Sequence, residues 1–214
     1  QKTIVLTGGG SAGHVMPNLA LLPLLQRSGY AVHYIGSING MEKSIIQNAG
    51  LPYHAIHAGK FRRYFSLQNL IDPVNVLSGY CESRRILKNL RPSALFSKGG
   101  YVAVPVVFAA RRLHIPVVLH ESDYTPGLAN RLCIPRAQRI CVSFEDTLAL
   151  LPAGKGVFTG TPVRESILRG KRPQGLRMLG FDGKKPVLLV MGGSLGAQAL
   201  NIAVDAAIER LSGV

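Results

Sequence analysis

A glycine cluster near the N-terminus constrains the fold of this chain more than any other feature. The residues Gly8-Gly9-Gly10-Ser11-Ala12-Gly13-His14 follow the apolar segment Lys2–Leu6, which has the composition of a buried strand. The segment after them, 15–25, has a helical pattern that Pro17 can open, and we expect Pro23 to kink or end that helix. A strand, a glycine loop and a helix together bind anions, because backbone amides and the helix dipole converge at the loop.

The same cluster matches the dinucleotide-binding pattern G-x-G-x-x-G at Gly8, Gly10 and Gly13. A dinucleotide-binding site of this type requires an acidic residue at the end of the second strand, and we predict that strand over 31–35. The first acidic residue of the chain is Glu42, well beyond that point. The sequence therefore disfavours a dinucleotide oxidoreductase and leaves an anion-binding loop, with a tight turn that holds no ligand as the alternative.

The composition indicates an anionic partner, since 25 Lys and Arg against 11 Asp and Glu give a net charge of +14. A membrane-surface patch is predicted where basic and aromatic residues mix, with a solvated basic face as the alternative. The patch comprises Lys60, Phe61, Arg62, Arg63, Tyr64 and Phe65. We find no nucleic-acid-binding motif and expect no nucleic-acid partner.

The three cysteines lack C-x-x-C spacing and are expected to be reduced thiols in a cytosolic protein.

Strand-like and helix-like segments alternate along the chain, which predicts a parallel α/β sheet. We expect a helical stretch over 67–90 interrupted at Pro73 and Gly79, and a basic loop over 171–183. A second strand–loop–helix unit follows, with a buried strand over 186–191, a glycine loop over 192–196 and a helix over 197–211. Two such units predict two Rossmann-like domains, 1–161 and 162–214, of which the second is too short to be complete.

Five motifs together resemble the MurG family of peptidoglycan glycosyltransferases over nearly the whole chain. They are GGGSAGHVMP (8–17), FSKGGYVAVP (96–105), HESDYTPGLAN (120–130), TGTPVR (159–164) and MGGSLGAQALN (191–201). The resemblance implies an α/β GT-B fold: a complete N-terminal Rossmann-like domain that binds acceptor and membrane, then the first βα unit of a donor domain that continues beyond Val214. It also implies a peripheral enzyme on the cytoplasmic face of the bacterial cell membrane that serves cell-wall biogenesis, cell shape and cell division.

The implied reaction moves N-acetylglucosamine (GlcNAc) from UDP-GlcNAc to the 4-hydroxyl of the muramyl sugar of lipid I, with inversion and without cofactor or bound metal. His14 is the predicted catalytic base, because an imidazole suits proton transfer at neutral pH; a purely structural or acceptor-phosphate-binding histidine is the alternative. The predicted donor residues are Ser11, Ala12, Gly13, Arg164, Ser194, Leu195 and Gly196, with an ordinary surface arginine as the alternative for Arg164. The predicted acceptor residues are Gly10, Lys98, Gly99, Gly100, Tyr101, Glu121 and Asn130, with a plain βα turn as the alternative for 98–101.

Several features qualify these expectations. The family loop usually reads GGTGGH, so Ser11 and Ala12 are departures, and Asp123 stands where the family often has Asn. Glu121 and Asp123 are a weak indication of a metal–nucleotide site, and we expect Glu121 to orient the loop backbone or an acceptor sugar instead. Because the family's uracil and ribose contacts lie beyond Val214, the 214 residues alone are expected to be inactive. A non-catalytic half that holds the acceptor and recruits a donor-binding partner is the runner-up interpretation.

Overall fold

The computed structural model describes residues 2–59, 68–192 and 197–212. The chain divides into two compact units, Gln1–Leu168 and Arg169–Val214. The predicted domain boundary after Thr161 remains a prediction. No helix within the described ranges combines the length and the apolar character needed to cross a bilayer.

A seven-stranded sheet forms the centre of the first unit, with every neighbouring pair parallel. The strands are β1 (Lys2–Thr7), β2 (Tyr30–Ser37), β3 (Tyr53–Ile56), β4 (Ala94–Ser97), β5 (Val117–Glu121), β6 (Arg139–Val142) and β7 (Gly156–Phe158). Their order in space is β3-β2-β1-β4-β5-β6-β7. This is the Rossmann-like arrangement that the alternating pattern predicts. The sequence interpretation missed β7, a three-residue strand at the sheet edge.

Helices connect the strands of the first unit, as parallel pairing requires. They are α1 (Met16–Arg27), α2 (Glu42–Asn48), α3 (Gln68–Leu90), α4 (Ala103–Arg112) and α5 (Leu128–Cys133), with a 3-10 helix, Glu145–Leu150, between β6 and β7. Helix α6 (Glu165–Leu168) follows β7. The expectation that Pro23 could end α1 is wrong, since the helix runs on to Arg27. The expected interruptions of α3 at Pro73 and Gly79 are also wrong. Pro73 lies inside α3 without ending it, and the missing side chain of Gly79 lets α3 approach the His57 carbonyl.

The core of the first unit lies on both faces of the sheet. Val5 packs with helices α3 and α4 in one cluster, and its neighbour Leu6 packs in the cluster that contains Val15 and Ile46. Because successive side chains of a strand point to opposite faces, a strand buried on both sides is apolar throughout, as β1 is. Each fully buried Leu or Val stabilises the fold by about 1.5–3 kcal/mol.

The second unit contains helices α7 (Arg172–Leu179) and α8 (Gln198–Ser212). The basic loop expected over 171–183 is wrong, because most of it is α7, which Pro173 opens and Gly180 ends in the left-handed conformation. The buried strand expected over 186–191 is also wrong. This segment has no regular secondary structure, and Leu189 and Met191 are 75% and 77% exposed. Among the described residues of this unit no strand is present for it to pair with.

Candidate active site

The candidate site lies at the carboxyl edge of the sheet, where β1 and β4 are neighbours. From β1 the chain continues to β2 and β3 on one side, whereas from β4 it continues to β5, β6 and β7 on the other. Loops leave such a switch point in opposite directions and open a crevice between them, which is where α/β proteins bind ligands. The loops here are the predicted glycine loop, 8–14, and the loop 98–101.

The glycine loop holds His14 in a short 3-10 turn, Ala12–His14, directly before α1. His14 Nδ1 lies 2.9 Å from Ser11 Oγ. If Nδ1 carries the proton and donates it to this hydroxyl, Nε2 is left with a free lone pair. Ser11, Ala12 and His14 are partly buried, and Gly10 and Gly13 are exposed, so the predicted ligand-binding backbone of this loop is accessible.

The two loops interlock, and glycines make the close approach possible. A side chain at Gly100 would collide with the Gly9 carbonyl and lie 3.2 Å from His14 Nδ1, and a side chain at Gly10 would lie 2.6 Å from the Tyr101 ring. Both Gly10 and Gly100 have positive φ angles, 86° and 81°, which residues with side chains adopt at a cost. The structure thus brings His14 together with three of the predicted acceptor residues.

A buried polar network under the glycine loop was not predicted from the sequence. Asn18 donates to the carbonyls of Thr7 and His14 at 3.3 and 3.2 Å, and Tyr34 donates to the Gly8 carbonyl at 2.7 Å. The Thr7 and Gly8 carbonyls are at the start of the loop and the His14 carbonyl is at its end, so Asn18 of α1 and Tyr34 of β2 together fix both ends. Burial raises the pKa of Tyr34, which keeps its hydroxyl a hydrogen-bond donor.

Glu42 also belongs to this site, and the sequence interpretation missed it. Its carboxylate is fully buried and accepts hydrogen bonds from the backbone amide and the hydroxyl of Ser37 at 3.0 and 2.5 Å. It also accepts a long hydrogen bond, 3.4 Å, from the Gly10 amide. This amide is therefore directed toward α2, and a ligand must compete with Glu42 for it.

Lys98 is 2% exposed, so its ammonium group is inside the protein rather than in the crevice. It donates to Ser122 Oγ at 2.5 Å, which joins the loop after β4 to the loop after β5. Burial lowers the pKa of Lys98, whereas the nearby carboxylates Glu121 and Asp123 raise it. Lys98 therefore influences the site mainly through its charge and its link to Ser122.

Glu121 and Asn130 form a buried pair at the end of β5. One Glu121 oxygen accepts from the Asp123 amide at 2.9 Å, and the other accepts from the Gly127 amide and from Asn130 Nδ2 at 3.1 and 2.9 Å. The expectation that Glu121 orients the loop backbone agrees with these contacts. A side chain at Gly99 would lie 2.8 Å from Asn130 Oδ1, so this pair also packs against the second loop.

The electrostatic surroundings of His14 favour its neutral form. Burial, and then the positive charge of Lys98, lower the pKa of His14 below its ordinary value of 6.5. The carboxylates Asp123 and Glu121 and a hydrogen bond with the Gly9 backbone act in the opposite direction but are smaller causes. A neutral imidazole at pH 7 can accept a proton, as a general base must.

The remaining predicted site residues lie apart from this cluster or outside the described residues. Arg164 is exposed, and its side chain makes no contact that the described residues reveal. Ser194, Leu195 and Gly196 lie outside the described residues, as does the whole predicted membrane patch, Lys60, Phe61, Arg62, Arg63, Tyr64 and Phe65. The roles of all predicted site residues remain predictions.

Together, a Rossmann-like sheet and two glycine loops at its switch point define an α/β domain of the kind that binds phosphorylated ligands. Residues 4–142 match the model of the glycosyltransferase family 28 N-terminal domain. The chain belongs to this family, and its first unit has the fold of the N-terminal domain of a GT-B glycosyltransferase.

Curated relatives are similar over nearly all of the chain. A protein of Lachnoclostridium phytofermentans is 55% identical over 204 residues, which are 95% of this chain, and one of Lachnospira eligens is 52% identical over 211 residues, which are 99%. Both are named UDP-N-acetylglucosamine--N-acetylmuramyl-(pentapeptide) pyrophosphoryl-undecaprenol N-acetylglucosamine transferase. The chain spans 58% and 60% of their lengths.

A solved structure agrees with this assignment. The crystal structure of Acinetobacter baumannii MurG superposes with a TM-score of 0.72 at 31% identity, over 97% of this chain and 55% of that one. The resemblance to the MurG family that the sequence motifs predicted is therefore confirmed.

Proposed function

We propose that this chain is the acceptor-binding part of an inverting glycosyltransferase of peptidoglycan synthesis. The enzyme transfers GlcNAc from UDP-GlcNAc to the 4-hydroxyl of N-acetylmuramic acid in undecaprenyl-pyrophosphoryl-MurNAc-pentapeptide, lipid I, and the product is lipid II. The names and high identity of the relatives support this proposal. The observation that carries it is the position of His14, which is half-buried in the first glycine loop and lies next to the second, at the switch point of the sheet.

In this proposal His14 is the general base. The 4-hydroxyl of the muramyl sugar gives its proton to the imidazole as its oxygen attacks the anomeric carbon of GlcNAc. The bond between that carbon and the diphosphate oxygen breaks, and UDP leaves with the bonding electron pair. Attack from the face opposite the leaving group inverts the configuration at the anomeric carbon. The lowered pKa of His14 supports this role, because the ring is ready to accept a proton at neutral pH.

The two loops divide the anionic parts of the substrates between them. The acceptor diphosphate lies against the loop 98–101, where the charge of Lys98 stabilises it. The donor residues proposed from the family resemblance are residues 11–13 of the first loop, Arg164, and residues 194–196. Gly10 and Tyr101 form the wall on the acceptor side, and Glu121 and Asn130 act by fixing the loop after β5.

The acceptor is anchored in lipid, so the enzyme must work at a membrane surface. We place it on the cytoplasmic face as a peripheral protein, bound by the patch 60–65. The helix that follows this patch supports the proposal, since α3 exposes Val74 and Leu77 at 62% and 64% and carries the exposed Arg84 and Arg85. Apolar groups next to basic ones suit a surface rich in anionic lipids.

The test is GlcNAc transfer from UDP-GlcNAc to lipid I by the full-length protein and by its His14→Ala variant. We expect kcat to fall at least about 100-fold, the usual contribution of a general base. His114→Asn is the matched control, because His114 is exposed on the loop between α4 and β5 and Asn tolerates its φ of 58°. Unchanged transfer by His14→Ala would remove His14 as the base, and no transfer by the wild-type protein would refute the proposed function.

A further inference from the structure

A second concavity lies beside the glycine loops, at the carboxyl ends of β2 and β3. It has a volume of about 320 Å³, and its lining includes Ser37, Asn39, His57, Asn75 and Tyr101. This volume is at the lower end of the range for small-ligand sites in proteins. None of the residues predicted for donor or acceptor binding lines it except Tyr101.

Tyr101 forms a wall that this pocket shares with the candidate active site. Its ring lies against Gly10, 2.6 Å from where a side chain there would begin, and the preceding Gly100 lies next to His14 Nδ1. The pocket is therefore separated from His14 by the thickness of one side chain and one glycine loop. A group attached close to the reacting atoms can reach it.

The pocket walls are held in place by hydrogen bonds. The Ser37 hydroxyl donates to the buried Glu42, and the Ser37 carbonyl accepts from the Tyr53 hydroxyl at 2.6 Å. At the opposite side, Glu82 of α3 binds both the backbone amide and Nδ1 of His57, each at 2.7 Å. A pre-formed site of this kind binds a ligand without first ordering its own walls.

The lining chemistry matches a peptide backbone. Asn39 and Asn75 each offer an amide donor and a carbonyl acceptor, which is the pair of groups that every peptide unit needs. Ile38 and Ala58, both half-buried, add apolar surface suitable for small aliphatic side chains. Among the residues that the structure describes, the lining contains no Lys or Arg.

We propose that this pocket binds the peptide carried by the muramyl acceptor, an inference that rests on the proposed function. In a muramyl sugar the peptide is joined through a lactyl ether to the carbon next to the one that bears the reacting hydroxyl. When that hydroxyl is at His14, the ring carbon that carries the lactyl group and its peptide is the neighbour of the reacting carbon. The attachment point of the peptide is therefore close to His14. Tyr101 is then the surface over which the peptide passes from the active site into the pocket.

The experiment compares two acceptors in the full-length protein, one a lipid-linked muramyl peptide and the other the same molecule with a free lactyl carboxylate. The pocket variant is the double substitution Asn39→Ala and Asn75→Ala. The matched control is Asn48→Ala with Asn89→Ala, which removes two exposed carboxamides from α2 and α3 outside the pocket. Wild-type transfer to either acceptor establishes the proposed function independently of the pocket.

We expect the pocket variant to raise KM for the peptide acceptor about 10-fold, the effect of losing two hydrogen bonds between neutral groups. Its KM for the peptide-free acceptor should stay within twofold of wild type, and the control variant should leave both values unchanged. Equal changes with the two acceptors would show a general structural effect, and no change with either would show that the peptide lies elsewhere. Both of these results overturn the proposal.

Discussion

Two segments of this chain have nearly the same sequence pattern and different structures. Lys2–Thr7 and 186–191 are both apolar and precede a glycine cluster and a helix. The first is β1, paired with β2 and β4, with Val5 and Leu6 fully buried. The second is not a strand, and Leu188 and Leu189 are 67% and 75% exposed.

The difference shows that the local pattern does not form a parallel strand by itself. A parallel strand obtains its backbone hydrogen bonds only from neighbours brought in by crossover connections. In the first unit β2 and β4 supply those bonds, and helices cover both faces of the sheet. The described part of the second unit contains two helices and no strand, so the segment 186–191 has no partner there.

Truncation of one leucine in each segment should give the largest contrast in stability. Leu6→Ala leaves a cavity in a closed core and should lower the free energy of unfolding by about 3 kcal/mol. Leu189→Ala removes an exposed side chain and should change it by no more than about 0.5 kcal/mol. Urea unfolding of the chain measures both. A large loss for Leu189→Ala would mean that 186–191 is packed in solution and that the comparison is wrong.

Glycine substitutions should have opposite signs in the two units. Gly100→Ala in the first unit combines a positive φ with a collision against the Gly9 carbonyl and should cost about 2 kcal/mol. Gly175→Ala in α7 meets nothing within 4 Å and should stabilise that helix by about 0.5–1 kcal/mol. Thermal unfolding followed by circular dichroism distinguishes them. If Gly100→Ala were neutral, the two loops would not interlock as described.

Much of the first unit is predictable from the sequence because its signals are local. The apolar runs, the glycines after β1 and β4, and Pro17 at the start of α1 all reflect the conformation of nearby backbone. The short strand β7 was missed, because three residues at a sheet edge give too little periodicity. Helix α7 was missed because Gly175 and several basic residues suggested a loop.

The site was predictable only in part, for a physical reason. The glycine loops and His14 are contiguous in sequence, so their chemistry can be inferred from a short motif. The side chains that hold the glycine loop in place are distant from it in sequence. Tyr34 bonds to Gly8, 26 residues away, and Glu42 bonds to Gly10, 32 residues away. Likewise, only the fold shows that Lys98 is buried and bonded to Ser122 rather than exposed to a ligand.

We propose that His14 acts as a base whose neutral form is favoured by burial and by Lys98. The most direct test of this proposal is the pH dependence of kcat/KM in the full-length protein. A base works only when it is deprotonated, so a lowered pKa predicts that activity declines on the acid side with a midpoint below pH 6.5. Lys98→Gln should move that midpoint to higher pH, because the Lys98 charge lowers the His14 pKa. A wild-type midpoint above 6.5, or the same acid decline in His14→Ala, would contradict the account.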